Sequence, residues 1–287
     1  VEVEEMDSIK NVDVCESVIK AIVENGYEDI LLRTGLIALE YYIPFNEDGN
    51  LFYLHDAIAV VISSLGKLFE DEAIQISTFR VLKHTLLVPE ASDIFEQNDG
   101  IKLFTQVVAT FYISAALQKE AMEIIEELAE NQELQSILFE NQALNYLVHC
   151  LSNFMDNEQV ILPAERSILK MCEYEPVSQT LYDLGAIAML VNVLTRFPKQ
   201  SELILYACSI LNVCALNGSF ISIVSKFPII DIILKCLDTM KEYPEVLVIV
   251  LFTIFFLVDQ SIDLATEFKN KRGPEKISSI WNNWEND

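Results

Sequence analysis

The sequence is poor in helix-breaking residues and in cations. It has only eight glycines and eight prolines among 287 residues, which argues against many tight turns and favours long helices. Lysine and arginine number 19 against 44 acidic residues, so the formal net charge is −25 at pH 7. Because such a surface repels nucleic acid and anionic lipid headgroups, we expect no nucleic-acid partner and no direct membrane binding by the body of the protein.

The sequence also lacks the motifs of metal and catalytic sites. None of its six cysteines forms a Cys-x-x-Cys pair, and its three histidines, His55, His84 and His149, lie far apart without ligand-spaced partners. We therefore predict neither a disulfide framework nor a metal site, and the thiols favour a reducing, cytoplasmic location. Without a phosphate loop, Gly-x-Ser-x-Gly or His-Glu-x-x-His, we expect no catalytic residues, no cofactor and no enzyme activity.

No apolar run is long enough to span a bilayer. The most apolar stretch, residues 246–258, has 13 residues, whereas a spanning helix needs about 20. We predict a core helix there. The chain shows no signal peptide and begins at Val1 instead of Met, so a lipid anchor on preceding residues, holding the protein on the cytosolic face of an organelle, stays open.

The sequence does contain an internal repeat of 43 residues. Within each repeat, we number a position by its offset in residues from a reference position. Offsets 2, 5, 9, 18 and 26 are apolar in all six repeats, and offset 22 is small or β-branched, which predicts a close approach of two helices. The six reference positions are Asp13, Asp56, Asp99, Gln142, Gly185 and Pro228.

The apolar offsets of each repeat form two helical stripes. Offsets 2, 5 and 9 make the first stripe, and offsets 18, 22, 26 and 29 make the second. A short helix often precedes them, as at Pro176–Leu184. The sequence therefore predicts an all-α fold with three helices per repeat, in a single solenoid domain over residues 1–260, and a C-terminal helical cap over residues 261–287.

Two segments of the fifth repeat resemble the armadillo-repeat family. Residues 185–194, Gly-Ala-Ile-Ala-Met-Leu-Val-Asn-Val-Leu, resemble the family's Gly-x-Ile-x-x-Leu-Val-x-Leu-Leu. Residues 207–215, Ala-Cys-Ser-Ile-Leu-Asn-Val-Cys-Ala, resemble its Ala-x-x-x-Leu-x-Asn-Leu-Ala. The resemblance implies a right-handed armadillo α-solenoid of about six repeats, whose third helices line a concave groove. Small adaptors built from such repeats alone imply roles such as the positioning of organelles or cytoskeletal motors.

The asparagine ladder of the family is largely missing here. In importin-α and β-catenin, asparagines on the third helices hold an extended peptide. The matching position is offset 27, where only Asn212 is an asparagine; the others are Glu40, Lys83, Glu126, Leu169 and Phe255. This departure argues against a peptide receptor of the nuclear-transport type and favours a helical or globular partner.

We expect offsets 20, 23, 24, 27 and 31 to face the groove. In the first four repeats these positions are largely charged, with an acidic bias in repeats three and four, which favours a partner protein carrying lysine or arginine. The alternative is a solvated helix face with pairs along each helix. The candidate partner-binding residues are Arg80, Lys83, Lys119, Glu123, Glu126, Glu130, Glu165, Arg166, Glu173 and Asn212.

The same offsets become apolar in the last two repeats, at Leu205, Val248, Leu251, Phe252 and Phe255. An exposed patch of this kind needs cover. Beyond Pro274, a helical spacing recurs at Ile277, Ile280, Trp281 and Trp284. We predict that this C-terminal helix folds back onto the patch as a cap; the alternative is a mobile tail that competes with a ligand.

These features predict a non-enzymatic adaptor or scaffold that binds partner proteins in its groove. A second hypothesis is a regulatory or autoinhibitory domain that clamps a basic amphipathic helix.

Overall fold

The computed structural model describes residues 14–43, 54–88, 90–216 and 218–284, without the side chains of residues 283 and 284. These ranges contain helices and no strand, which confirms the all-α prediction. The chain divides into two compact units, Val1–Tyr146 and Leu147–Asp287, and each is described by itself. The division predicted from the repeat, at residue 260, stays a prediction.

The first unit holds eight described helices and the beginning of a ninth. They are α1 (residues 14–24), α2 (Asp29–Tyr42), α3 (Leu54–Lys67), α4 (Glu72–Leu86), α5 (Ala91–Gln97), α6 (Gly100–Thr110), α7 (Ala115–Ala129) and α8 (Gln132–Glu140). The division between the units falls within α9 (Ala143–Asn153).

The second unit continues with nine helices in its described residues. They are α10 (Glu158–Met171), α11 (Pro176–Asp183), α12 (Ala186–Arg196), α13 (Ser201–Cys214), α14 (Phe220–Val224), α15 (Ile229–Thr239), α16 (Pro244–Gln260), α17 (Ile262–Asn270) and α18 (Gly273–Trp284).

The 43-residue spacing recurs at the points where the third helices begin. The side chains of Asp71, Ser114 and Asn157 each accept a hydrogen bond from a backbone N–H in the first turn of α4, α7 and α10. Such caps satisfy a donor that the helix itself leaves unpaired. The same spacing continues to the residues before α2, α13 and α16, which are Glu28, Gln200 and Tyr243.

Three of the reference positions adopt a left-handed backbone conformation. Asp99, Gln142 and Gly185 have φ values of 57°, 63° and 73° and stand immediately before α6, α9 and α12. A single residue in this conformation ends one helix and turns the chain into the next. Glycine adopts it without steric cost, whereas Asp99 and Gln142 adopt it at some cost in backbone energy.

In the first unit, the third helices α2, α4 and α7 pack in one row, and the second helices α3 and α6 pack in another. Buried glutamines at offset 19 join the rows. Gln75 Nε2 donates to the carbonyls of Ser64 and Leu68 at 2.9 Å. Gln118, 43 residues later, donates to Val108 at 2.9 Å and to Phe111 at 3.1 Å. Each glutamine thereby satisfies carbonyls at the end of a second helix.

Offset 22 is buried in every repeat, at Gly35, Thr78, Ala121, Ala164, Ala207 and Val250. A Cβ atom on Gly35 would overlap the side chain of Ile22. The predicted close approach at this offset is therefore confirmed for Gly35.

In the second unit, α10, α13 and α16 pack side by side, and α12 packs against α15. Helix α17 packs on both α15 and α16, and α18 packs on α17. Gln260 Nε2 donates to the carbonyl of Ala215 at 2.8 Å, which joins the ends of α16 and α13.

Candidate partner-binding face

The exposed face of the third helices is the surface that the repeat predicts to contact a partner. Offsets 20, 24 and 27 are half-buried or exposed in the described repeats, and the described residues at offset 31 are exposed. Offset 23 behaves differently. Leu36, Phe79, Met122, Glu165 and Cys208 are all buried there, so the prediction that offset 23 faces a partner is wrong for these residues.

Glu165 is the clearest correction. We predicted a groove-facing acid, but its side chain is fully buried, and neither carboxylate oxygen has a hydrogen-bond partner. Burial raises the pKa of this carboxyl well above its usual value. Because desolvation disfavours the charged form, the fold favours the protonated acid. A side chain without solvent exposure cannot receive a cation from a partner.

A network of ion pairs crosses α2, α4 and α7 in the first unit. Arg80 contacts Glu40 on α2 and Glu120 on α7, the latter at 3.0 Å. Lys83 contacts Glu120 at 2.6 Å and Glu123 at 2.7 Å. Glu123 also lies 3.8 Å from Lys119. Three acids and three bases thus meet in one network.

Glu120 is the centre of this network. Burial alone would raise the pKa of its carboxyl, but hydrogen bonds from Lys83 and Arg80 outweigh that effect and hold the pKa below its usual value. The network joins adjacent third helices and has no net formal charge. Four predicted partner-binding residues, Arg80, Lys83, Lys119 and Glu123, are therefore engaged within the protein.

Glu120 was not predicted as a site residue, although the sequence contains a signal for it. Lys83 at offset 27 bonds Glu120 at offset 21 of the next repeat, 37 residues later. Ser77 donates to Glu40 across the same interval. A search for complementary residues 37 positions apart would have found this pair.

Asn212 follows the same geometry in the second unit. Its Nδ2 donates to the carbonyl of Ile249 at 3.2 Å, again 37 residues away, and its buried Oδ1 has no hydrogen-bond partner. The asparagine therefore joins α13 to α16.

The remaining charged candidates stay predictions. Glu126 and Arg166 are half-buried, and Glu130 and Glu173 are exposed.

Helix α16 carries an uncovered apolar row. Val248, Phe252 and Phe255 are 47%, 53% and 55% exposed, respectively. We call these three residues the α16 row. Leu205 and Leu251 beside it are half-buried. The stretch predicted to be a core helix is thus buried on one side only.

The C-terminal helix does not cover the α16 row. Ile280 is buried, Ile277 is half-buried and Trp281 is 63% exposed; the side chain of Trp284 lies outside the described residues. Lys276 on α18 contacts Asp238 on α15. Lys271, just after α17, pairs with Asp231, also on α15, at 2.7 Å. Helix α17 packs on α15 and α16, so the C-terminal helices do fold back onto the sixth repeat. The prediction that they cover the apolar patch is wrong, because the α16 row is exposed.

A shallow cavity of about 290 Å³ lies at the beginning of α13 and α16. Leu205, Tyr243, Pro244 and Val246 form its apolar part. Ser201 and three acids complete its lining; the acids are Glu202, Glu242 and Glu245.

The described residues offer little for metal or nucleophilic chemistry. They contain no group of three or more His, Cys, Asp or Glu side chains placed to hold a metal ion. The six cysteines, all within the described ranges, form no disulfide. Burial raises the pKa of the Cys150, Cys172, Cys214 and Cys236 thiols to about 12, which disfavours the reactive thiolate.

In the described part of the chain, no single helix is long and apolar enough to cross a membrane. Helices α11 and α12 together have the length and apolar composition of a membrane span, but the chain bends by 77° between them.

No protein-family model matches the chain, and a search of curated proteins also found no match.

Proposed function

We propose that the chain is an armadillo-type α-solenoid that acts as a non-enzymatic scaffold and binds a partner protein on the exposed face of its third helices. The repeated capping positions and left-handed turns, 43 residues apart, support the solenoid. The buried small residues at offset 22 also support it.

One observation carries the function, namely the α16 row. Two phenylalanines and a valine, each about half exposed, stand on consecutive turns of one helix. Contiguous apolar surface of this kind marks docking sites in soluble proteins, and the faces of helical repeats commonly present such sites. The ion-pair network of the first unit is a weaker candidate because its acids and bases already neutralise one another.

The test is affinity capture with mass spectrometry, comparing the wild type with Phe252→Ser/Phe255→Ser. We expect the double variant to lose its specific partners. The matched control is Ile113→Ser/Ile262→Ser, which changes apolar side chains that are even more exposed, at 73% and 84%. Circular dichroism melting would establish that all variants are folded.

The control separates docking from general stickiness. If both variants lose the same proteins, the row is not a specific site. If Glu126→Lys/Glu130→Lys loses the partners while Phe252→Ser/Phe255→Ser keeps them, the partner binds at the acids first predicted and the α16 row is excluded.

A further inference from the structure

The α16 row is bounded by an exposed acid at each end. Glu245 precedes Val248 by three residues, and Asp259 follows Phe255 by four. With 3.6 residues per turn, the spacing of 3, 4, 3 and 4 from Glu245 to Asp259 places all five side chains on one face. This is the spacing with which a helix presents a seam to a second helix.

The charged residues of α16 and of its neighbour α13 are all acidic. Neither α16 nor α13 contains a lysine or arginine. Glu202 and Glu242 add two exposed acids beside Glu245. The nearest lysine before α16, Lys241, contacts Asp238 at 3.1 Å.

We propose that the occupant of the α16 row is an amphipathic helix of a partner protein, with an apolar stripe spaced by three and four residues and a lysine or arginine at each end. The 14 intervals from Glu245 to Asp259 correspond to about 21 Å of helix, which sets the separation of the two cations. Because both ends of the row are acidic, a partner helix in either orientation meets the same charges. This inference rests on the proposed scaffold function and specifies its ligand.

Charge disfavours a second copy of the chain as occupant. An antiparallel pair of α16 helices would bring Glu245 of one copy beside Asp259 of the other, and a parallel pair would place like residues together. Repulsion between such groups costs binding energy.

The chain's own segments outside the described ranges are also acidic. Residues 1–13 contain five acids and one lysine, and residues 44–53 contain two acids and no base. A basic helix from another protein complements the row better than either segment.

The test uses synthetic helical peptides of about 20 residues, a length that supports helix formation when bound. Both peptides carry leucines at the stripe positions; one has lysine at each end of the stripe and the other has glutamate. Fluorescence anisotropy with the full chain should show that the lysine peptide binds about tenfold or more tightly than the glutamate peptide. Added salt should reduce this difference.

Two variants identify the surface. Glu245→Lys/Asp259→Lys should reverse the preference between the peptides, and Phe252→Ser/Phe255→Ser should abolish binding of both. If both peptides bind equally well and the phenylalanine variant binds neither, the required lysine or arginine at each end of the partner helix is excluded. The proposed scaffold function would still stand.

Absence of binding by both peptides, or unchanged binding by the phenylalanine variant, would overturn the assigned occupant. A wild-type dimer in sedimentation that dissociates in Phe252→Ser/Phe255→Ser would identify a second copy as occupant instead. Loss of protein capture in cells tests the scaffold function separately, so the two failures are distinguishable.

Discussion

Glu165 illustrates how one residue can depart from a repeat pattern. It lies at an offset where other repeats place Leu36, Phe79, Met122 and Cys208, all buried. The sequence contained a signal for this burial, because Leu251 of the sixth repeat is also apolar, so Glu165 is the one polar residue at offset 23. What the sequence did not show is that the acid takes the buried place of its apolar counterparts.

Glu165→Gln should remove a pH-dependent loss of stability. The pKa of the folded carboxyl is raised above the ordinary value of 4.5, so the folded state keeps a proton that the unfolded chain releases. Wild-type stability relative to the variant should fall as the pH rises above 4.5, until it reaches the folded pKa, and then stay constant. Urea unfolding of both proteins between pH 4 and 8 measures this difference.

Glutamine is a close match because it preserves the shape of the neutral acid and does not titrate. Glu202→Gln is the charge-matched control, since Glu202 is exposed at the beginning of α13, and it should change stability by no more than about 0.5 kcal/mol. A Glu165→Gln curve parallel to that of the wild type would show that Glu165 is not held neutral in the fold.

At the scale of helices, the repeat predicted where the helices begin better than which residues their exposed side chains contact. Buried apolar offsets and capping residues are local signals, so a fixed spacing reveals them. Pairing between third helices depends on residues 37 and 40 positions apart, as at Lys83, Glu120 and Glu123. The cap prediction failed for a related reason, because the contacts of Lys271 and Lys276 with acids on α15 also join residues far apart in the sequence.

Glu120→Gln should weaken the row of third helices in the first unit. It removes a buried carboxylate that accepts hydrogen bonds from Arg80 and Lys83, and we expect a loss of about 1–3 kcal/mol in the free energy of unfolding at pH 7. Denaturant unfolding measures the loss. Exposed Glu133→Gln in α8 is the charge-matched control and should change stability by no more than about 0.5 kcal/mol.

The pH dependence gives this prediction a definite sign. The pKa of folded Glu120 lies below the ordinary value of 4.5, so its contribution is present above that pH and is lost as the pH falls through the folded pKa. The gap between wild type and Glu120→Gln should therefore narrow in acid. A gap that is constant with pH, or no larger than that of Glu133→Gln, would contradict the role of the network.

Across the whole molecule, composition and periodicity were sufficient for the fold class. The excess of acids, the scarcity of glycine and proline and the 43-residue spacing all point to long helices with a charged exterior. The two compact units were not foreseen, because the repeat register continues without interruption through residue 146. The exposure of Val248, Phe252 and Phe255 agrees with their offsets of 20, 24 and 27 but not with the predicted cap, which would have covered them.

Docking of a partner protein on the α16 row in the cell can be measured with a photo-crosslinking amino acid at position 252. Position 112, where Tyr112 is similarly exposed at 50%, is the reference. We expect a discrete crosslinked adduct at position 252, lost when Phe255→Ser is added, and no such adduct at position 112. Identical adducts at both positions, or none at position 252, would exclude docking at the row.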